Sequence, residues 1–335
     1  MKNLPMGKAV INVHSHHAFA FSIMTDEISL PWIYSNYINI HAFPSIENGD
    51  FIHFCTSSRF QDVPYIFLSR LHHSQVKRWF SDILEFIIDS INNEYYINTV
   101  VDEFYITGTK AYQKYHFTHN VLVHGYNSNT KTIKIAGFFS DPPQYSFNKD
   151  IDYEEFKLAF KYSKPINNAL NSTVELIKYP YFESPNNHFY KLDKKIVIES
   201  IENFLNSKKV PRIMVPSVNI NYEAVYGLQV YALLEDYLLK GKKIHMKAFQ
   251  TLLNHKYIML LRIKYMIENG YIEDIKVFTL YKKVSSEMEI IHNLRLKYLI
   301  IKDVTVNDVI AKRLRNMASI EKEALLLLKK EINFS

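Results

Sequence analysis

The chain has 335 residues, 47% of them hydrophobic and 22% charged, with a formal net charge of +6. That length and apolar content leave room for a full core and for two domains, and they exclude a generally disordered chain. The basic excess is mild and interspersed with acids, apart from short clusters such as residues 240–247, and no nucleic-acid-binding motif accompanies it. No nucleic-acid partner is expected, whereas an acidic protein partner would suit the charge.

A single cysteine, Cys55, rules out an internal disulfide framework and any multi-cysteine zinc site. The chain has only 8 glycines, and none forms GxGxxG or GxxxxGKS/T, so dinucleotide and P-loop chemistry are set aside. No signal sequence and no apolar run of bilayer length are visible. The cytoplasm is the expected compartment, with no membrane association.

In chain order, residues 16–24 read as a short helix with Ser15 as its N-cap. Phe51 to Thr56 alternates as a strand carrying Cys55. Residues 75–91 form one amphipathic helix, with Trp79, Phe80, Ile83, Leu84, Phe86 and Ile87 on its apolar face. Strands are expected at 97–103, 120–125, 132–139 and 144–147, then a helix over 152–162 that begins with acids, and a further strand near 173–178. The central feature is His116-Phe117-Thr118-His119-Asn120-Val121-Leu122-Val123-His124-Gly125-Tyr126-Asn127, followed by Ile135-Ala136-Gly137-Phe138-Phe139. It reads as a β-hairpin turned by Gly125-Tyr126-Asn127. Beyond about residue 191 strand signals fade, and 195–206, 224–240, 246–270, 285–297 and 307–332 carry helical periodicity. The expected organisation is an α+β domain over 1–190 and a helical domain over 191–335, with seams at 181–187 and 211–216.

Several segments together resemble a known family. Asn12 to Met24 (NVHSHHAFAFSIM), Leu30 to Tyr37 (LPWIYSNY) and the histidine hairpin resemble the N-terminal domain of the butirosin-biosynthesis acyltransferase family. Val225 to Tyr231 (VYGLQVY), His255-Lys256, Met259 and Arg262-Ile263 resemble the helical half of its relatives, among them the cysteine-protease-like amide synthetase of closthioamide assembly. The resemblance implies a papain-like domain with an antiparallel sheet, used in nonribosomal-peptide or polyketide-type assembly. It implies amide formation from a carrier-protein thioester and an amine. No cofactor is implied beyond the phosphopantetheine arm that presents the acyl group. The chemistry calls for a thiolate at a helix N-terminus, an imidazole base and an orienting acid.

Matched residue by residue, the base falls on His119. The cysteine position reads Val13, with His14 and Ser15 after it, and the acid position reads Gly137, with Asp141 four residues on. Two of three triad positions therefore depart from the family pattern. Ser15 is either a helix cap or a replacement nucleophile, and Cys55 is either an inert buried thiol or a nucleophile if its strand borders the cleft. His14, His16 and His17 crowd one helical turn too closely to share a metal ion, and no metal site is expected. Lys256 and Arg262 are candidates for docking an acidic carrier, or else belong to a solvated face. Three functions stay open: an amide-forming acyltransferase, an inactive homologue that binds carrier, peptide or product, and a papain-like peptidase or amidase.

Overall fold

β-branched and aromatic runs give the first unit its strands, and 3.6-residue periodicity gives the second its helices. The computed structural model describes residues 1–44, 52–56, 60, 63–140, 144–164, 173–180, 190–210 and 223–334. The chain divides into two compact units, one of residues 1–26 and 58–189, the other of 27–57 and 190–335. Residues 27–57, read from the sequence as part of the first domain, belong instead with the helical unit. Both sequence seams, 181–187 and 211–216, lie outside the described residues.

In the first unit, β1 (Lys2–Asn3) and α1 (Ser15–Ile23) come first, followed by β4 (Phe67–His72), α3 (His73–Trp79) and α4 (Ile83–Asn92), with α2 (Leu30–Ser35), β2 (Ile40–Ala42) and β3 (Ile52–Phe54) falling in the other unit. Then come β5 (Tyr95–Asp102), β6 (Thr118–Asn127), β7 (Thr132–Phe138), β8 (Tyr145–Asp152), α5 (Tyr153–Tyr162) and β9 (Thr173–Lys178). The strands form one antiparallel sheet in the order β4-β9-β5-β6-β7-β8, with β1 added beside β6. Its centre is apolar: Ile97, Val101, Val121, Leu122, Val123, Ile133 and Ile135 are essentially inaccessible. Each such side chain is worth about 1.5–3 kcal/mol relative to exposure.

Two local expectations change. The helix expected over 75–91 is two helices, because the chain is extended at Phe80 and Asp82 caps α4 by accepting from Leu84 N. Trp79, placed on the apolar face, is 58% exposed. Gly125 to Asn127 do not turn the hairpin but continue β6, and residues 128–131 make the turn. Gly125 is required for another reason, since a Cβ there would stand 2.9 Å from the carbonyl oxygen of Lys2 in the adjoining β1.

The second unit contains α2 (Leu30–Ser35), β2 (Ile40–Ala42), β3 (Ile52–Phe54), α6 (Lys194–Leu205), β10 (Val225–Tyr226), α7 (Gln229–Leu239), α8 (Met246–Glu268), α9 (Ile275–Ile301) and α10 (Thr305–Phe334). Helices α8, α9 and α10 pack in series, α7 and α6 lie on α10, and β10-β2-β3 form a small antiparallel sheet. Asp193 and Asp274 cap α6 and α9. Both units together give an α+β protein with antiparallel sheets and a helical C-terminal region. Among the described residues no helix is long and apolar enough to cross a membrane.

Candidate active site

The site is built where β5 ends and β6 begins. The chain leaves β5 at Asp102 and makes a single 3-10 turn over Glu103–Tyr105. Asp102 Oδ1 accepts from the backbone nitrogens of Phe104 and Phe117, both at 3.1 Å, and its Oδ2 lies 2.6 Å from His116 Nδ1. The Glu103 nitrogen donates to the Phe117 carbonyl at 2.8 Å. These bonds fix the Glu103 carboxylate beside β6, where His119 stands opposite Val101 in the ladder. Glu103 Oε1 is 2.9 Å from His119 Nδ1.

The pair is unequal in exposure, the histidine side chain being 28% accessible and the glutamate 6%. An ionised carboxylate can only accept, so the bond places the ring proton on Nδ1 and leaves the Nε2 lone pair for another proton. Among the described residues no hydrogen bond ends on His119 Nε2. Phe117 and Phe138 flank the ring, with centroids at 5.6 and 6.2 Å. The arrangement is an oriented imidazole that can take a proton from a bound reactant.

The carboxylate beside His119 therefore comes from the turn that follows β5, and not from β7, where the acid was expected. At Gly137 a Cβ would fall 2.6 Å from the ring of Phe139, which folds back over that position. No side chain can reach His119 from there without displacing Phe139. Asp141 lies outside the described residues. The alternation over 97–103 predicts continuous strand and hides Glu103, which instead opens the turn after Asp102. The available signal was the Asp102-Glu103 pair closing an apolar strand ahead of His116-x-x-His119.

The other candidates separate. Val13 is buried at 4% exposure and brings no nucleophile. Ser15 is the first residue of α1, not its cap; His14 is the N-cap, and its side chain makes no capping bond. α1 packs on β6, β7 and β8, with Ser22 Oγ 2.7 Å from Tyr145 Oη. Rings run from Phe19 through Tyr145 and Phe138 to His119. Among the described residues no hydrogen bond joins Ser15 to His119. The rings of His14 and His16 stack at 5.4 Å, and those of His16 and His17 are 4.3 Å apart. Among the described residues no three His, Cys, Asp or Glu side chains are grouped to hold a metal ion.

Cys55 belongs to the second unit, with Sγ 3.4 Å from His41 Nδ1. Burial pushes the thiol well above its usual range and holds His41 down to about 3. The couple is thus a neutral thiol beside a neutral imidazole, the reverse of an activated thiolate pair. Lys256 and Arg262 cannot dock a carrier from where they stand. Both are fully buried in α8. Lys256 pairs with Glu321 at 2.6 Å, and Arg262 Nε donates to the Tyr34 carbonyl at 2.7 Å. The helical face read as a surface faces the interior of the helical unit.

No family model matches the chain, and no curated protein matches it either. The site is therefore read on its own chemistry.

Proposed function

We propose that this protein is a papain-like amide-forming acyltransferase of specialised-metabolite assembly, acting on a carrier-bound thioester by direct aminolysis. The observation that carries this reading is the Glu103–His119 bond, which leaves Nε2 of a partly exposed imidazole as a proton acceptor. The amine nitrogen attacks the thioester carbonyl and passes its proton to His119 Nε2. The C–S bond then breaks, and the departing thiolate takes that proton to leave as a thiol. A thioester is already activated, so positioning and proton removal are the main requirements. Buried Val13 in the nucleophile position, and the buried Cys55 thiol in the other unit, support a route without an acyl-protein intermediate.

The same buried Val13 favours a second reading, an inactive homologue that binds carrier, peptide or product. Incubation with an acyl thioester of N-acetylcysteamine and a panel of amines separates the two. Amide formation that His119→Ala abolishes supports the enzyme. Saturable thioester binding without turnover by any amine leaves the binding reading. A peptidase would instead cleave peptide amides and ignore the thioester.

A further inference from the structure

The turn between α9 and α10 carries an apolar tip. Lys302 closes α9 in the left-handed conformation, with φ 56°, and the chain passes within three residues into α10. Across that turn Ile300 is 81% exposed and Val304 68%, with Leu296, Leu299 and Ile301 exposed beside them. A lone exposed aliphatic is ordinary, but five within residues 296–304 make a patch. The tip is firmly held. Arg295 donates to the Ile244 carbonyl at 2.6 Å and to Asn307 Oδ1 at 3.3 Å, tying the α7–α8 loop to the end of α9 and the start of α10. Val306 and Ile310 are buried just beyond the turn.

Positive charge gathers at the same end. Residues 236–247 and 295–308 hold six lysines and Arg295 against Asp236, Asp303 and Asp308, a net of +4 out of +6 for the whole chain. Two of those acids are engaged. Asp236 pairs with Lys240 at 2.8 Å, and Asp303 accepts from Thr305 N and Oγ1 at 3.0 and 2.7 Å. Lys242, Lys243, Lys297 and Lys302 are all exposed. Protein interfaces favour Tyr, Trp, Met and Arg and are depleted in Lys. Aliphatics set among lysines suit a lipid headgroup layer instead, the aliphatics entering the acyl boundary while lysine stems reach the phosphates.

We propose that the α9–α10 tip docks on an anionic phospholipid bilayer, with Ile300 and Val304 inserted and Lys242, Lys243, Lys297 and Lys302 on the headgroups. The contact is peripheral. It departs from the expectation of no membrane association, which rested on the lack of a spanning run and of a signal sequence. It stands whether or not His119 is catalytic.

The test is co-sedimentation of the full-length protein with vesicles of phosphatidylcholine alone, or of equal parts phosphatidylcholine and phosphatidylglycerol. Binding to the anionic vesicles is expected to be tighter by about ten-fold or more, and to weaken as added salt shortens the screening length below about 8 Å. Lys243→Gln with Lys297→Gln should weaken it about 25-fold, at about five-fold per lysine. Ile300→Ser with Val304→Ser should weaken it by about ten-fold or more. All four positions are exposed, so these changes spare the fold. No binding to anionic vesicles at about 1 mM lipid, or equal binding to both compositions, overturns the proposal. Binding unchanged in either double variant overturns it too. A lipid-free dimer that Ile300→Ser dissolves would assign the tip to a second copy of the chain and overturn it as well.

Discussion

Removing Glu321 should nearly unfold the helical unit. Glu321 and Lys256 side chains are both 0% accessible and pair at 2.6 and 2.8 Å. Tyr231 and Tyr281 hydroxyls donate to the same carboxylate at 2.6 and 2.5 Å, and Lys256 Nζ also reaches His255 Nδ1 at 2.9 Å. Glu321→Ala therefore strands a buried ammonium and two hydroxyl donors at once. Breaking a buried pair from one side costs about 3–5 kcal/mol, against a total stability of about 5–15 kcal/mol. Burial already holds the Lys256 pKa below its usual value, and Glu321 opposes that shift. Without Glu321 the folded lysine sheds its proton more readily. Between that lowered value and 10.5 the unfolded chain binds the extra proton, so the variant should regain stability as pH rises through this window. Lys256→Met combined with Glu321→Leu removes both charges and should be less harmful than Glu321→Ala alone. Hydrogen exchange resolved by unit is the assay, since two units need not unfold together. A Glu321→Ala cost below about 1 kcal/mol, or a double variant worse than the sum of its parts, would refute the reasoning.

Three further outcomes are expected. Glu103→Gln keeps the shape beside His119 but removes the charge that orients and stabilises the imidazolium. Amide formation should fall by about 10²-fold or more with KM little changed, and unchanged turnover would detach Glu103 from the site. His41 and His73 are held at about 3, and His124 at about 4, chiefly by burial. Each stays neutral when folded, so stability is complete above pH 6.5 and falls as pH drops toward those values. The slope should reach about 1.4 kcal/mol per pH unit for each histidine, and His73→Gln should flatten it in a denaturant series. Gly227 has φ +52°, and a Cβ there would lie 2.1 Å from the Phe204 carbonyl oxygen. Gly227→Ala should cost more than about 1–3 kcal/mol in thermal unfolding, and a neutral result would contradict the close approach of Gly227 to Phe204.

The sequence was informative where one local signal sufficed. α8 and α10 were placed to within about two residues because their periodicity is long. β5 to β7 were placed by their β-branched runs, and His119 stands at the start of β6 as expected. It misled where a distant segment decides the answer. Gly125 looks like a turn residue until β1, more than a hundred positions earlier, is laid against it. Lys256 and Arg262 look like a solvated face because nothing near them reveals Glu321 or the Tyr34 carbonyl. Residues 27–57 carry no marker of the unit they join. The carboxylate beside His119 comes from the turn after β5 instead of from β7, since hairpin neighbours are visible along the chain while the register of a third strand is not.

The most direct test of the His119–Glu103 site is intact-mass and product analysis of wild type and His119→Ala with an acyl thioester and an amine. The expected result is amide from the wild type, loss of about 10²–10⁴-fold in His119→Ala, and no acylated protein in either. An acyl adduct on Ser15 would replace direct aminolysis with a serine nucleophile. Equal amide formation with and without His119 would contradict the site itself.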